Sequence, residues 1–110
     1  DVLYYRDIRH GHVPPQGDAT VSPLQDTNFA RLPPTVTFGA ECDPLCDDAR
    51  TYAVAITNAG GRAHAFLEAG LVHGYLRARH TVPRAANSFA RITTALTALA
   101  RREWPYGDAK

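Results

Sequence analysis

"LPPTVTFGAECDPLCDDARTYA", residues 32–53, holds a change of period that decides the fold. Pro33 and Pro34 cannot extend a helix. The next residues, 35–40 (TVTFGA), are β-branched, aromatic and apolar enough for a strand buried in a sheet. From Asp47 onward the spacing turns helical, with Ala49, Tyr52, Ala53 and Ile56 three, one and three residues apart. Asp47 or Asp48 is available as N-cap, and Gly60-Gly61 as terminator, of a helix of about three turns. Asp43 falls between the two elements. An aspartate there is most often a turn or cap residue; the alternative is that the strand delivers a carboxylate to a site.

Working outward, "RAHAFLEA" (residues 62–69) reads as a second short strand and "GLVHGYL" (70–76) as the turn after it. Pro83 opens a second helix, in which Phe89, Ile92, Leu96 and Leu99 recur at helical spacing and form the expected core stripe; it ends near Arg101, Arg102 and "EWPYG". Residues 1–34 are broken by Pro14, Pro15, Pro23, Pro33, Pro34, Gly11 and Gly17, although "VLYYRDI" can form a short helix. The expected division is a loop-rich lead-in over 1–34, a βαβα segment over 35–104 and a tail over 105–110. A right-handed crossover between parallel strands brings both strand tips to one edge of the sheet. Asp43 lies just past the first tip and His73 just past the second, where open α/β sheets keep ligands and reactive groups. A carboxylate there can hold the Nδ1 proton of an imidazole and stabilise the imidazolium formed when Nε2 takes a proton.

The composition supports a globular domain, with 45% hydrophobic and 21% charged residues. Twelve Lys and Arg against eleven Asp and Glu give a net charge of +1, which predicts neither a nucleic-acid nor a membrane-surface partner. No apolar run reaches the 18 or so residues of a membrane span, and the charged opening "DVLYYRDIRHGH" is unlike a signal peptide. Cys42 and Cys46 are sparse and close in sequence, so free thiols and a cytoplasmic setting are expected. The sequence begins at Asp1 and contains no methionine, which fits a piece of a longer chain and a processed complete domain equally well.

The stretch "LPPTVTFGAECDPLCDDARTYAVAITNAGG", followed by "LVHGYL", resembles the C-terminal third of an α/β-hydrolase of the hormone-sensitive-lipase-like esterase branch. In that family an LPP-strand-D-P-L-x-D segment carries the acid, a helix with a Tyr-Ala pair ends in A-G, and an H-G-[FY] turn carries the histidine. The resemblance covers about residues 18–100 if "DATVSPL" is included. It implies that Asp43 is the acid and His73 the base of a Ser-Asp-His triad, in the chain order of this fold. It further implies hydrolysis of short- to medium-chain carboxylic esters, with no cofactor.

The departures are equally specific. A G-x-S-x-G elbow is absent, and the two serines are Ser22 in "VSPL" and Ser88 inside the second helix. "HGH" at residues 10–12 is no H-G-G oxyanion loop. The expectation is therefore a C-terminal fragment of an esterase, inactive alone, with an incomplete parallel sheet. An open sheet edge invites a partner, either the missing N-terminal portion or a second copy. The rival expectation is a non-catalytic α/β binding or interaction module. Cys42, Cys46, His10, His12 and His73 make only a weak zinc pattern, because C-x3-C has no second tight pair. His64 and His80 are assigned no chemistry, and the arginines from Arg77 to Arg102 read as a solvated helix surface.

Overall fold

The chain runs α1 (Val2–His10), a 3-10 turn (Pro23–Gln25), β1 (Thr35–Cys42), α2 (Cys46–Asn58), β2 (Ala63–Val72), a second 3-10 turn (Tyr75–Ala78) and α3 (Pro83–Ala100). These elements come from a computed structural model that describes residues 2–13 and 15–107. The expected opening at Asp1, the helix breaker Pro14 and the tail residues 108–110 lie outside the described residues. The strand-helix-strand-helix order is as the sequence predicts, and "VLYYRDI" is helical within α1.

β1 and β2 pair in parallel, with Thr35 opposite Ala63, Phe38 opposite Phe66 and Ala40 opposite Glu68. Alternation along the strands sends odd-numbered β1 residues to one face and even-numbered ones to the other. On the odd face α2 lies close: the Thr37 hydroxyl donates to the Ala49 carbonyl at 2.8 Å, and a Cβ at Gly39 would stand 2.9 Å from the Cys46 carbonyl oxygen. Only glycine lets helix and strand approach this far. Ala53 and Ile56 bury the inner side of α2. The helix ends as expected, in a Schellman motif: the Gly60 N–H donates to the Thr57 carbonyl and the Gly61 N–H to that of Ile56, with Gly60 at a φ of 83°.

On the even face Phe38 stacks on Phe66, His64 meets the Phe66 edge, and Tyr106 stacks on His64 at 4.9 Å. His64 is thus a packing residue. Ala40, Leu71 and Ala85 form a buried cluster where α3 meets the sheet.

Three local expectations are corrected. Neither Asp47 nor Asp48 caps α2: the capping position is Leu45, without a side-chain hydrogen bond, and both aspartates sit in the first turn, where they still complement the helix dipole. β2 runs on to Val72, so residues 70–72 belong to the strand and the turn is shorter. The period-2 pattern hid this because β2 is irregular there, as shown by the jump in register from Ala40–Glu68 to Cys42–Val72. The third correction concerns α3, which buries Ala85, Ser88, Ala95 and Ala98. Leu96 is 66% exposed and Phe89 is exposed beside Arg79, which lies over its ring. Ile92 and Leu99 are half-buried at the margin. Two helical stripes one residue apart share the same period, and the one with small side chains is the buried one.

Arg91 adds an ion-paired tie between α3 and the sheet. Its Nε donates to Glu68 Oε1 at 3.1 Å and its Nη2 to Oε2, and the hydrogen bonds to Glu68 hold its pKa above the usual arginine value. Glu68 is 3% exposed, whereas the Arg91 side chain is 44% exposed. Arg91→Leu should cost about 2 kcal/mol, less than the roughly 3–5 kcal/mol for breaking a fully buried pair, since water already reaches the arginine. Urea denaturation measures this cost, and adding Glu68→Leu should recover most of it.

Candidate functional site

The D-P-L-C segment forms a tight turn for a local reason. Aspartate favours the first position of such turns and proline the second, and here the Cys46 N–H donates to the Asp43 carbonyl at 2.9 Å. The Asp43 side chain closes the same turn, its Oδ1 accepting from the Leu45 N–H at 2.9 Å. That bond fixes the carboxylate and leaves Oδ2 aimed across the strand tips. The turn reading and the site reading of Asp43 are both met, one by each oxygen.

His73 follows the last residue of β2, and Gly74 after it takes a φ of 75° to enter the 3-10 turn. His73 Nδ1 lies 2.7 Å from Asp43 Oδ2. The Asp43 side chain is 12% exposed and that of His73 77%. An ionised carboxylate can only accept, so Nδ1 donates and Nε2 is the nitrogen left to take a proton. The Leu45 N–H, then the hydrogen bond from His73, hold the Asp43 carboxyl below the usual carboxylate range. The stabilising effect is therefore present at pH values above that range and is lost as pH falls through the lowered value.

The other candidates do not join this pair. Ser88 is fully buried, its Oγ 2.7 Å from the Tyr75 hydroxyl, and Ser22 precedes the first 3-10 turn. Cys42 and Cys46 are free thiols; desolvation, followed by the neighbouring Asp47, Asp43 and Glu41, raises the Cys46 pKa, which disfavours a thiolate nucleophile. Among the described residues no group of three His, Cys, Asp or Glu side chains is arranged to hold a metal ion, and no helix is long and apolar enough to cross a membrane.

Residues 4–77, which include Asp43 and His73, match the family model described as alpha/beta hydrolase fold. The chain belongs to the α/β-hydrolase fold family. Similarity to individual hydrolases agrees with the hormone-sensitive-lipase-like branch read from the sequence. Carboxylesterase NlhH of Mycobacterium tuberculosis is 38% identical over 71 residues, 64% of this chain and 22% of that protein. The chain thus spans about a fifth of the length of the curated relatives it matches. A Pyrobaculum calidifontis esterase superposes with a TM-score of 0.69 at 26% identity, over 76% of this chain and 27% of that one. The ester-hydrolase EH1AB1 from the Lake Arreo metagenome, solved with a bipyridine phosphonate derivative, gives 0.61 at 30%, over 69% and 25%. The two-stranded parallel sheet is part of this larger hydrolase sheet.

The sequence reading passed over two residues of this hydrolase segment. Glu68 carried a signal, being a charge inside an apolar strand that has to find a partner. Glu41 gave none, because its partner is a backbone N–H 29 residues away.

Proposed function

We propose that this segment supplies the acid and the base of a serine carboxylesterase acting on short- to medium-chain carboxylic esters. The observation that carries this reading is the 2.7 Å contact between Asp43 Oδ2 and His73 Nδ1 at the shared strand tips, in a chain of the α/β-hydrolase family. The serine and the oxyanion donors come from polypeptide outside these 110 residues, and the segment alone hydrolyses no ester. That same polypeptide, or else a second copy, covers the open sheet edges and the exposed Leu3, Tyr4, Tyr5 and Ile8 of α1. The setting is cytoplasmic.

In the proposed reaction His73 Nε2 takes the proton of the serine hydroxyl as the oxygen attacks the ester carbonyl. Asp43 holds the Nδ1 proton and stabilises the imidazolium. The imidazolium returns its proton to the leaving alkoxide, which departs as the alcohol and leaves an acyl-enzyme. His73 then deprotonates a water that attacks the acyl carbon, and it reprotonates the serine as the acid leaves.

The test uses the full-length protein with p-nitrophenyl esters from acetate to octanoate and with a fluorophosphonate that phosphonylates activated serines. Turnover, together with covalent phosphonylation of one serine outside this segment, is expected. A folded full-length protein that neither turns over the esters nor takes the label overturns the reading.

A further inference from the structure

We propose that Glu41 is a positioning residue for the Asp43–His73 pair, acting through the irregular end of β2; this rests on the esterase reading. The argument begins with register. From Ala40 to Cys42, β1 advances two residues, while from Glu68 to Val72 its partner advances four. β2 therefore holds two extra residues just before its tip. If the ladder ran on regularly from Ala40–Glu68 with the same residues, Gly70 would face Cys42 and Leu71 would stand level with Asp43. At about 3.3 Å per residue, His73 would then lie roughly 7 Å further along the strand, well beyond hydrogen-bond reach of Asp43. The bulge is what makes the two strand tips agree.

A bulge breaks the ladder and leaves backbone groups to be satisfied elsewhere. Gly70 sits in it with a φ of 68°, and its N–H donates to Glu41 Oε2 at 2.6 Å. The preceding Ala69 carbonyl is approached by Arg84 Nη1 at 3.5 Å. A Cβ at Gly70 would stand 2.2 Å from that same nitrogen, so the site admits glycine alone without rearrangement. Within these 110 residues little packs on the His73 side chain, so what this segment contributes to its position is where the backbone ends. Glu41 lies two residues before Asp43 on β1 and grips the segment that leads to His73 on β2. It thereby ties the two halves of the pair together.

Two conservative variants in the full-length protein separate position from charge. Glu41→Gln keeps an oxygen at the same reach and loses the charge; Glu41→Asp keeps the charge and withdraws the oxygen. We expect Glu41→Gln to retain kcat within about threefold and Glu41→Asp to lose about tenfold or more in kcat with KM little changed, as misplacement of a catalytic group does. Folding is checked by circular dichroism and His73→Ala is measured alongside. If Glu41→Gln loses as much as Glu41→Asp, or if Glu41→Asp keeps wild-type kcat while His73→Ala abolishes turnover, the positioning role is overturned and the esterase reading stands. Unchanged turnover in His73→Ala would instead remove the esterase reading itself.

Discussion

His73→Ala in the full-length protein is expected to lower p-nitrophenyl ester turnover by about five to six orders of magnitude, the scale for removing the base of such a triad. Among the described residues the imidazole at these strand tips is placed to accept and then return a proton, whereas the Asp43 carboxyl is held in its charged form, below the usual carboxylate range. The loss should fall on kcat, because the ring acts in the transition state rather than in ground-state binding. Phosphonylation of the serine should slow in parallel, because its activation depends on the same base. Wild-type turnover in a folded His73→Ala protein would dismiss the residue from the reaction.

Asp43→Asn is expected to cost about four orders of magnitude in kcat, through a different physical route. The asparagine carbonyl can still accept from the Leu45 N–H, so the D-P-L-C turn keeps its closing bond. Its amide, however, donates towards Nδ1 and favours the tautomer with the proton on Nε2, the atom that has to be vacant. Comparison with Asp43→Ala divides the two duties of the carboxylate. Alanine removes the turn bond as well, so it should lower stability in addition to kcat, whereas asparagine should lower kcat almost alone. The comparison is made by urea denaturation and ester kinetics on the same preparations. Full activity in Asp43→Asn would mean that the 2.7 Å contact orients nothing of consequence.

The legible parts of this protein share one property: their causes are local in the chain. Pro33-Pro34 followed by TVTFGA, the change of period after Asp47 and the Gly60-Gly61 stop each report on a few neighbouring residues, and the strand-helix-strand-helix order followed from them. Asp43 and His73 were legible because a right-handed parallel crossover sends both strand ends to one edge. At the start of α2 the capping position falls on Leu45, whose N–H is taken by the Asp43 side chain of the preceding turn. In α3 the period could not say which of two adjacent stripes faces inward.

By itself, then, the sequence determined the elements, their parallel pairing and the pair of residues at the tips, since turn chemistry and hydrophobic period act within a few residues of where they are written. Only the tertiary structure decided how far β2 runs, which face of α3 is buried and that Glu41 and Arg91 find their partners across the fold. Those outcomes depend on contacts between residues 23 to 29 positions apart, and on a two-residue difference in length between strands that no single stretch of the chain contains.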